Sequence, residues 1–472
     1  MSQDNLIFGP TYAEMKDPSL IPQAIRQKAQ KARTEAPLDP INLFNINWKD
    51  DNGQVRFVTI PHELTGISAN ILVLKGRYFP TGSHKVGPGY CALVEKQLSG
   101  EAKPGNRTAV WPSTGNFGIG GSWVGPRMGY RSLVVLPAEM SRERFEKIKG
   151  YGAEAIATPG SESNVKEIYD KVNELKRDPN NLILNQFADF GNYRFHSTVT
   201  ASAVEDAFRT LQKEHAGPLH LRAWVSAMGS AGAIGAGDTL KEHHPGFHIV
   251  GLEPVQCPTL FNVGFGAHRI EGIGDKHVTW IHNVANMDLL FCIDDEDTLR
   301  GLQLIQQGAE LLTKELGIRE SHVQKLADSF GMSGVCNVLG AIKTARYLGL
   351  GRHDVVATVA TDGFDRYPSC LEKLNEEDGV PSVTRDRQLR NLEVFRKPGG
   401  GDMFLEGTLA ARKRWHNQKY FTWVEQQGKS IDELHALWEQ DFWKQQRAKV
   451  DELDKQLVHA RGSLKKLAEA TA

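Results

Sequence analysis

Short apolar runs alternate with stretches in which apolar residues recur every three or four positions, from about residue 56 to about residue 395. The runs at 69–75 (ANILVLK), 108–111, 132–137 (SLVVLP), 155–158, 182–184, 221–225, 248–252, 289–293 and 355–360 are too short for helices and are continuously apolar. A strand wet on one face would alternate polar and apolar, so these runs predict parallel strands covered on both faces. Helical segments are expected between them, at 90–97, 141–150, 165–176 and 197–215. The second has Phe145 and Ile148 three apart, behind a Ser cap and ahead of a Gly stop. The expected fold class is α/β, doubly wound, with two such layers.

Outside that span the pattern changes. Residues 1–50 are proline-punctuated with one helix expected at 22–34, and read as a wrapping arm. From residue 396 a glycine-rich link (RKPGGGDMF) leads into a basic, helical extension carrying Trp415, Trp423, Trp438 and Trp443. Ser430 and Glu433 form a capping box opening a helix on which Ile431, Leu434 and Trp438 share a face. The last stretch, 451–472, reads as a charged helix, and the tryptophan faces are expected to pack on the core or on a second subunit.

The chain has 472 residues, 40% hydrophobic and 24% charged, which is ordinary for a soluble globular protein. Its formal net charge of -1 argues against nucleic acid or an anionic membrane as partner. No apolar run approaches the roughly 20 residues that span a bilayer, and the N-terminus lacks the basic and apolar regions of a signal peptide. Five cysteines, odd in number and widely spaced, make neither a CxxC pair nor a metal-ligand pattern. They read as reduced thiols of a cytoplasmic protein without a metal.

Three glycine-rich stretches follow apolar runs. In the first, YFPTGSHKVGPGY (78–90), Lys85 sits just past a turn at a helix start. Helix-end charge and partial burial both disfavour its ammonium form, and a neutral amine can form a Schiff base with an aldehyde. In the second, Ser113, Thr114, Gly115 and Asn116 place small residues and backbone amides where a carboxylate can bind. In the third, Gly229, Ser230, Ala231, Gly232 and Ala233 open a helix whose amides suit a phosphate. That last stretch also admits a dinucleotide fingerprint with Glu253 as the ribose acid, although its spacing is GxxGxxG rather than GxGxxG. Glycine serving only tight packing is the third possibility.

In this order the stretches resemble the fold-type II pyridoxal-phosphate enzymes, and within them the cysteine synthase and cystathionine β-synthase family, over roughly residues 60–372. FPTGSHK is similar to the family's Schiff-base segment, which implies that Lys85 holds the cofactor's aldehyde carbon. STGNFG resembles its substrate-carboxylate loop, with Asn116 at the position that bonds the cofactor's 3'-hydroxyl. NQFADFGNYRFH resembles the stretch that brings Gln186 to the carboxylate. GSAGA resembles the phosphate loop, with Ala231 and Ala233 in place of a glycine and a threonine. IEGIG (270–274) also matches, and GMSGVCNVLGAIKTAR and TDGFDRYPS resemble two later segments, implying that Ser333 faces the pyridine nitrogen. The resemblance further implies a large domain of residues 51–86 with 199–395, a smaller mobile domain of 87–198, and a homodimer, while the helical extension at 396–472 does not match the family's catalytic core.

There are departures. Val86 and Gly87 stand where the family has aspartate and arginine, and the serine segment is one residue short. TGSHK is also similar to tryptophan synthase β chains, but Trp111-Pro112 replaces their glutamate ahead of the loop. The expected chemistry is β-replacement on a small amino acid through an aminoacrylate, with β-elimination by a serine, cysteine or diamino-acid lyase as the alternative. A catalytically inactive binding protein of the same fold is the reading from another class. Among the remaining residues, His84 reads as a stacking or hydrogen-bonding group, Arg269 and His268 as a surface salt bridge, and Cys257 as a small buried hydrophobe.

Overall fold

In the computed structural model, residues 8–105, 107–113, 115–160, 165–379, 383–399, 403–462 and 464 are described. Eleven strands among them form two sheets: β1 (Phe57–Thr59), β2 (Asn70–Lys75), β3 (Thr108–Pro112), β4 (Arg131–Pro137), β5 (Glu154–Thr158), β6 (Asn181–Ile183), β7 (His220–Ala227), β8 (His248–Pro254), β9 (Leu289–Ile293), β10 (Asp354–Ala360) and β11 (Phe404–Glu406). The larger sheet runs β1-β2-β10-β7-β8-β9-β11 and the smaller β5-β4-β3-β6. The five inner strands of the first, and all four of the second, are parallel.

Every strand expected from the apolar runs is present. β10 explains why: it pairs with β2 on one side and β7 on the other, and is buried from Val355 to Ala360. Each valine buried there contributes roughly 1.5–3 kcal/mol, so a continuous apolar run is what a central parallel strand needs. β1 and β11 were not legible. Each has three residues, pairs antiparallel at an edge and is only partly buried. β11 also means that the C-terminal extension opens with a strand added to the larger sheet before its helices begin.

Helix Val86–Leu98 is buried along most of its length. Its third residue, Pro88, falls in the first turn, where no intrahelical N–H bond is lost. Gly87 is required by packing: a Cβ there would lie 2.3 Å from the Phe195 ring. The expected 197–215 helix is two pieces, a π-helical turn at Phe195–Thr200 and an α-helix at Ala201–Glu214. Among the described residues no helix is long and apolar enough to cross a membrane.

The extension packs on the core. Trp415, Trp423 and Trp443 are buried, and their ring N–H groups donate to the carbonyls of Leu260, Val278 and Leu437. The capping box of Ser430 and Glu433 is present, but its helix ends at Ala436. Ile431 is therefore exposed, Trp438 lies past the helix end, and Leu434 and Leu437 are the buried pair. The final helix, Gln440–Arg461, reaches back to the N-terminal arm. Asp454 accepts from the Tyr12 and Ala13 amides, and Arg461 pairs with Glu14 at 2.8 Å. The stretch 465–472 of the expected terminal helix lies outside the described residues.

Candidate active site

The loops after β2, β3, β7 and β10 all leave the carboxyl ends of their strands, where open α/β sheets bind ligands. Lys85 caps the Val86–Leu98 helix, following a turn bridged to β10's loop by the Ser83–Asp362 pair. Its Nζ donates to Ser230 Oγ at 3.1 Å. Desolvation pulls the lysine down from 10.5 to about 8, although Asp275 acts in the opposite direction. A substantial neutral fraction near pH 8 is what a lysine nucleophile needs.

Ser230 belongs to the turn between β7 and the helix Ala236–His243. Its Oγ also accepts from Asn192 Nδ2 at 3.0 Å, and its carbonyl accepts from Thr279 Oγ1 at 3.0 Å. Gly229 and Gly232 are fixed by close approach: a Cβ at the first would lie 2.6 Å from Gly272 O, at the second 2.0 Å from Asn192 Oδ1. Ala231 is held at φ 59°, a left-handed conformation that costs an alanine about 1–2 kcal/mol. Ala233 O accepts from Trp224 Nε1.

Across from this loop, the smaller sheet presents 113–116. Ser113 Oγ accepts from the amides of Gly115 (2.9 Å) and Gly118 (2.8 Å), so it shapes the loop and keeps its own proton to donate. Gly115 has φ 152° and touches Arg144, whose Nη1 would lie 1.9 Å from an added Cβ. Thr114 lies outside the described residues. Gln186 is buried beside β3 and donates to Pro112 O at 3.4 Å. Asn116 begins the helix Asn116–Arg127; its Nδ2 donates to Asp362 Oδ2 at 2.5 Å and its Oδ1 accepts from Arg366 Nε at 2.9 Å. One amide proton of Asn116 remains for a ligand. Ser333 is buried in the first turn of helix Met332–Tyr347, whose cap Gly331 donates to Asp362 O.

Three groups were missed by the sequence reading. Asn192 joins the two sides: its Nδ2 donates both to Ser230 Oγ and to Gln186 O (2.9 Å), while its buried Oδ1 has no partner. An asparagine inside a short helix carries no pattern that marks it. Arg144 and Glu271 link the smaller sheet's helix Arg142–Gly150 to the larger sheet's loops at 2.6 Å, with Arg144 fully buried. Asp275, directly after the IEGIG segment, is buried with Oδ2 unpartnered. An acid following three small or apolar positions, Gly272, Ile273 and Gly274, was the available signal.

Other readings change. Glu253 accepts from the Leu260 and Phe261 amides at 2.9 and 2.8 Å, so it caps a turn and is not held out for a ribose. His84 neither donates nor accepts a hydrogen bond through its buried ring nitrogens. It packs on Trp48 and edge-on against His196 at 5.0 Å, and burial holds it well below its ordinary value. Arg269 pairs with Glu296 and Glu377, whereas His268 is buried and bonds Gly274 O. Cys257 is buried, and all five cysteines are free thiols.

These residues fit a small phosphorylated aldehyde. Among the described residues no backbone carbonyl accepts from the amides of Gly229, Ser230, Ala231 or Gly232, which leaves a set of donors at a turn beside a hydroxyl. The desolvated amine of Lys85 stands on that same hydroxyl.

The comparisons agree. Residues 52–315 match the family model described as pyridoxal-phosphate dependent enzyme. A probable cysteine synthase of Bacillus subtilis is 30% identical over 298 residues, covering 63% of this chain and 88% of that protein. Cystathionine beta-synthase of Saccharomyces cerevisiae is 29% identical over 273 residues, 56% of this chain and 53% of the yeast protein. Among solved structures, O-acetyl serine sulfhydrylase isoform 3 of Entamoeba histolytica superposes with a TM-score of 0.56 at 25% identity, covering 72% of this chain and 93% of that one.

Proposed function

Because the chain belongs to the pyridoxal-phosphate dependent enzymes, we propose that it catalyses β-replacement on a small β-substituted amino acid, as its cysteine synthase relatives are named for doing. The observation that carries this reading is the hydrogen-bonded chain Lys85–Ser230–Asn192–Gln186. It sets the reactive amine and the carboxylate-binding side against one space.

When bound, pyridoxal phosphate supplies the electron sink that lets a β-substituent depart and a nucleophile add. The chain's own residues do the rest. Ser230 and the amides of 229–232 hold the phosphate, and Lys85 holds the aldehyde carbon. Once free, the Lys85 Nζ would be the base that takes the α-proton. The 113–116 loop and Gln186 hold the carboxylate and so fix the Cα–H bond toward Lys85, which removes an entropic part of the barrier. Ser333 would face the ring nitrogen as a neutral hydroxyl that does not give it a full proton, which would favour departure of the β-substituent over accumulation of negative charge at Cα.

Residues 87–198 form the closing unit in this reading, and residues 51–86 with 199–395 the fixed one. The chain crosses between them at the Lys85 cap and near the Phe195–Thr200 π-turn, the kind of irregularity that recurs at functional positions. Closure excludes water, so that replacement outruns hydrolysis. A cytoplasmic homodimer is consistent with the free cysteines and the family. The test is product analysis with O-acetylserine or serine and a thiol or sulfide. A new amino acid carrying the nucleophile supports replacement; keto acid and ammonia in equal amounts, with no adduct, would overturn it in favour of elimination.

A further inference from the structure

The buried carboxyl of Asp275 is used by none of these steps. It lies on the 268–283 segment, which is laid against the phosphate loop: Gly274 N donates to Met228 O (2.9 Å), Thr279 Oγ1 to Ser230 O (3.0 Å), and Gly229 abuts Gly272. Thr259 Oγ1 fixes the Asp275 backbone carbonyl at 2.8 Å. Asp275 Oδ2 is enclosed without a partner. Lys85 from the lysine loop, Tyr169 from the smaller sheet's helix Val165–Leu175, and Cys257 lie within electrostatic reach. Behind it, a cavity of about 10 Å³ bounded also by Glu253, His277 and His282 has room for one water at most. Its neighbours Lys276 and His277, with Tyr169, line a larger cavity of about 550 Å³ that opens between that helix and Thr422 and Gln426 of the extension. Two lysines of its lining, Lys166 and Lys276, are balanced by two acids, Glu167 and Asp170. It is not a funnel for anions.

Resting on the β-replacement reading above, we propose that Asp275 is the base for the incoming nucleophile, and that it selects one arriving neutral and protonated, a thiol or amine Y–H, over an anion. As the Y–Cβ bond forms, the Y–H proton moves to Asp275 Oδ2. The earlier-broken Cβ–X bond has released X with its electron pair, and the proton returns to X or to solvent. The sum is Cβ–X plus Y–H giving Cβ–Y plus H–X, with no change of oxidation state. A carboxylate repels an ionised nucleophile but accepts a proton from a neutral one. Burial raises the Asp275 carboxyl to about 7, which matches it to proton transfer near neutrality.

The experiment uses the loaded enzyme with O-acetylserine, whose acetate departs without needing an acid, and two nucleophiles, 2-mercaptoethanol and sodium hydrosulfide. Asp275→Asn should lower kcat/KM for 2-mercaptoethanol by about 10²-fold or more and leave hydrosulfide unchanged or faster, with Asp275→Glu restoring part of the thiol rate. A second readout needs no turnover: the pH midpoint for cofactor attachment to the apoprotein should fall in Asp275→Asn, because the carboxylate that raises the Lys85 proton affinity is gone. Equal losses with both nucleophiles, or none, would overturn the assignment, as would an unmoved midpoint. If the wild type makes no adduct with either nucleophile, the β-replacement reading itself fails and the proposal falls with it.

Discussion

The two sheets hold the site by different kinds of bond. On the larger, the loops that carry Lys85, Ser333 and the 268–283 segment are tied by backbone hydrogen bonds, His84 N to Thr361 O, Gly331 N to Asp362 O and Gly274 N to Met228 O. On the smaller, side chains reach across the crevice, Asn116 to Asp362, Arg144 to Glu271 and Tyr367, Ser141 to Glu271 and Glu143 to Ser369, beside the backbone bonds from Trp280 N and Ile281 N to Phe187 O. Backbone bonds within a packed loop break only when the loop unfolds. Polar side-chain bonds are worth about 0.5–3 kcal/mol each and can exchange with water. In the proposed mechanism the larger sheet would fix the reacting groups, and the smaller would close on them and let go.

The largest effect should come from the fixed side. In the proposed mechanism Lys85→Ala removes both the covalent anchor and the α-proton base, and should lower turnover by about 10⁴-fold, the upper range for one proton-transfer group. The visible band of the bound cofactor should shift to that of unanchored cofactor. A variant that keeps both turnover and band would place the chemistry elsewhere and erase the distinction between the sheets.

Next comes the closing side. Glu271→Ala leaves the fully buried Arg144 without its carboxylate, a loss of about 3–5 kcal/mol when one partner of a buried ion pair is removed. If Arg144 serves closure, the Michaelis constant for the amino donor rises and keto acid leaks as water enters, while cofactor attachment to Lys85 keeps its rate. Loss of cofactor attachment in parallel would mean that the two sheets are one rigid body.

A smaller and graded effect belongs to pH. Burial lowers the Lys85 amine to about 8, and in the proposed mechanism only its neutral form would attack the cofactor's aldehyde. Attachment to the apoprotein should therefore rise with pH and level off above 8, and be about 100-fold slower two units below that midpoint. Stopped-flow absorbance across pH 6 to 9.5 measures it. A flat profile would mean that burial does not hold the amine neutral.

What the sequence revealed divides along the same line. The strands were legible because parallel strands buried on both faces must be continuously apolar, and Lys85 and the 229–233 turn stood out as candidates because glycine and lysine there serve a local geometry. Asn192, Arg144 and Glu271 were not, because their roles arise between segments 38 and 127 residues apart, where no periodicity or short motif reaches. β1 and β11 escaped because three-residue edge strands have no pattern to display. Asn116 was a candidate on local grounds, but its pairing with Asp362 and Arg366, some 250 residues on, is a property of the folded chain alone.

The smallest expected effect tests how tightly the fixed side is built. Ala231 stands in the phosphate loop with φ 59°, where glycine carries no Cβ penalty. Ala231→Gly relieves about 1–2 kcal/mol of left-handed strain and returns about 0.4–1 kcal/mol of chain entropy to the unfolded state. The net should be a gain of up to about 1 kcal/mol, seen as a small rise in Tm of the apoprotein, with cofactor affinity changed less than tenfold. A fall in Tm would mean that the alanine methyl, which is buried, contributes more by packing than its backbone conformation costs. In that case the loop is held by side-chain contact, as the smaller sheet is, and the contrast between the two sheets narrows at the point where it was expected to be greatest.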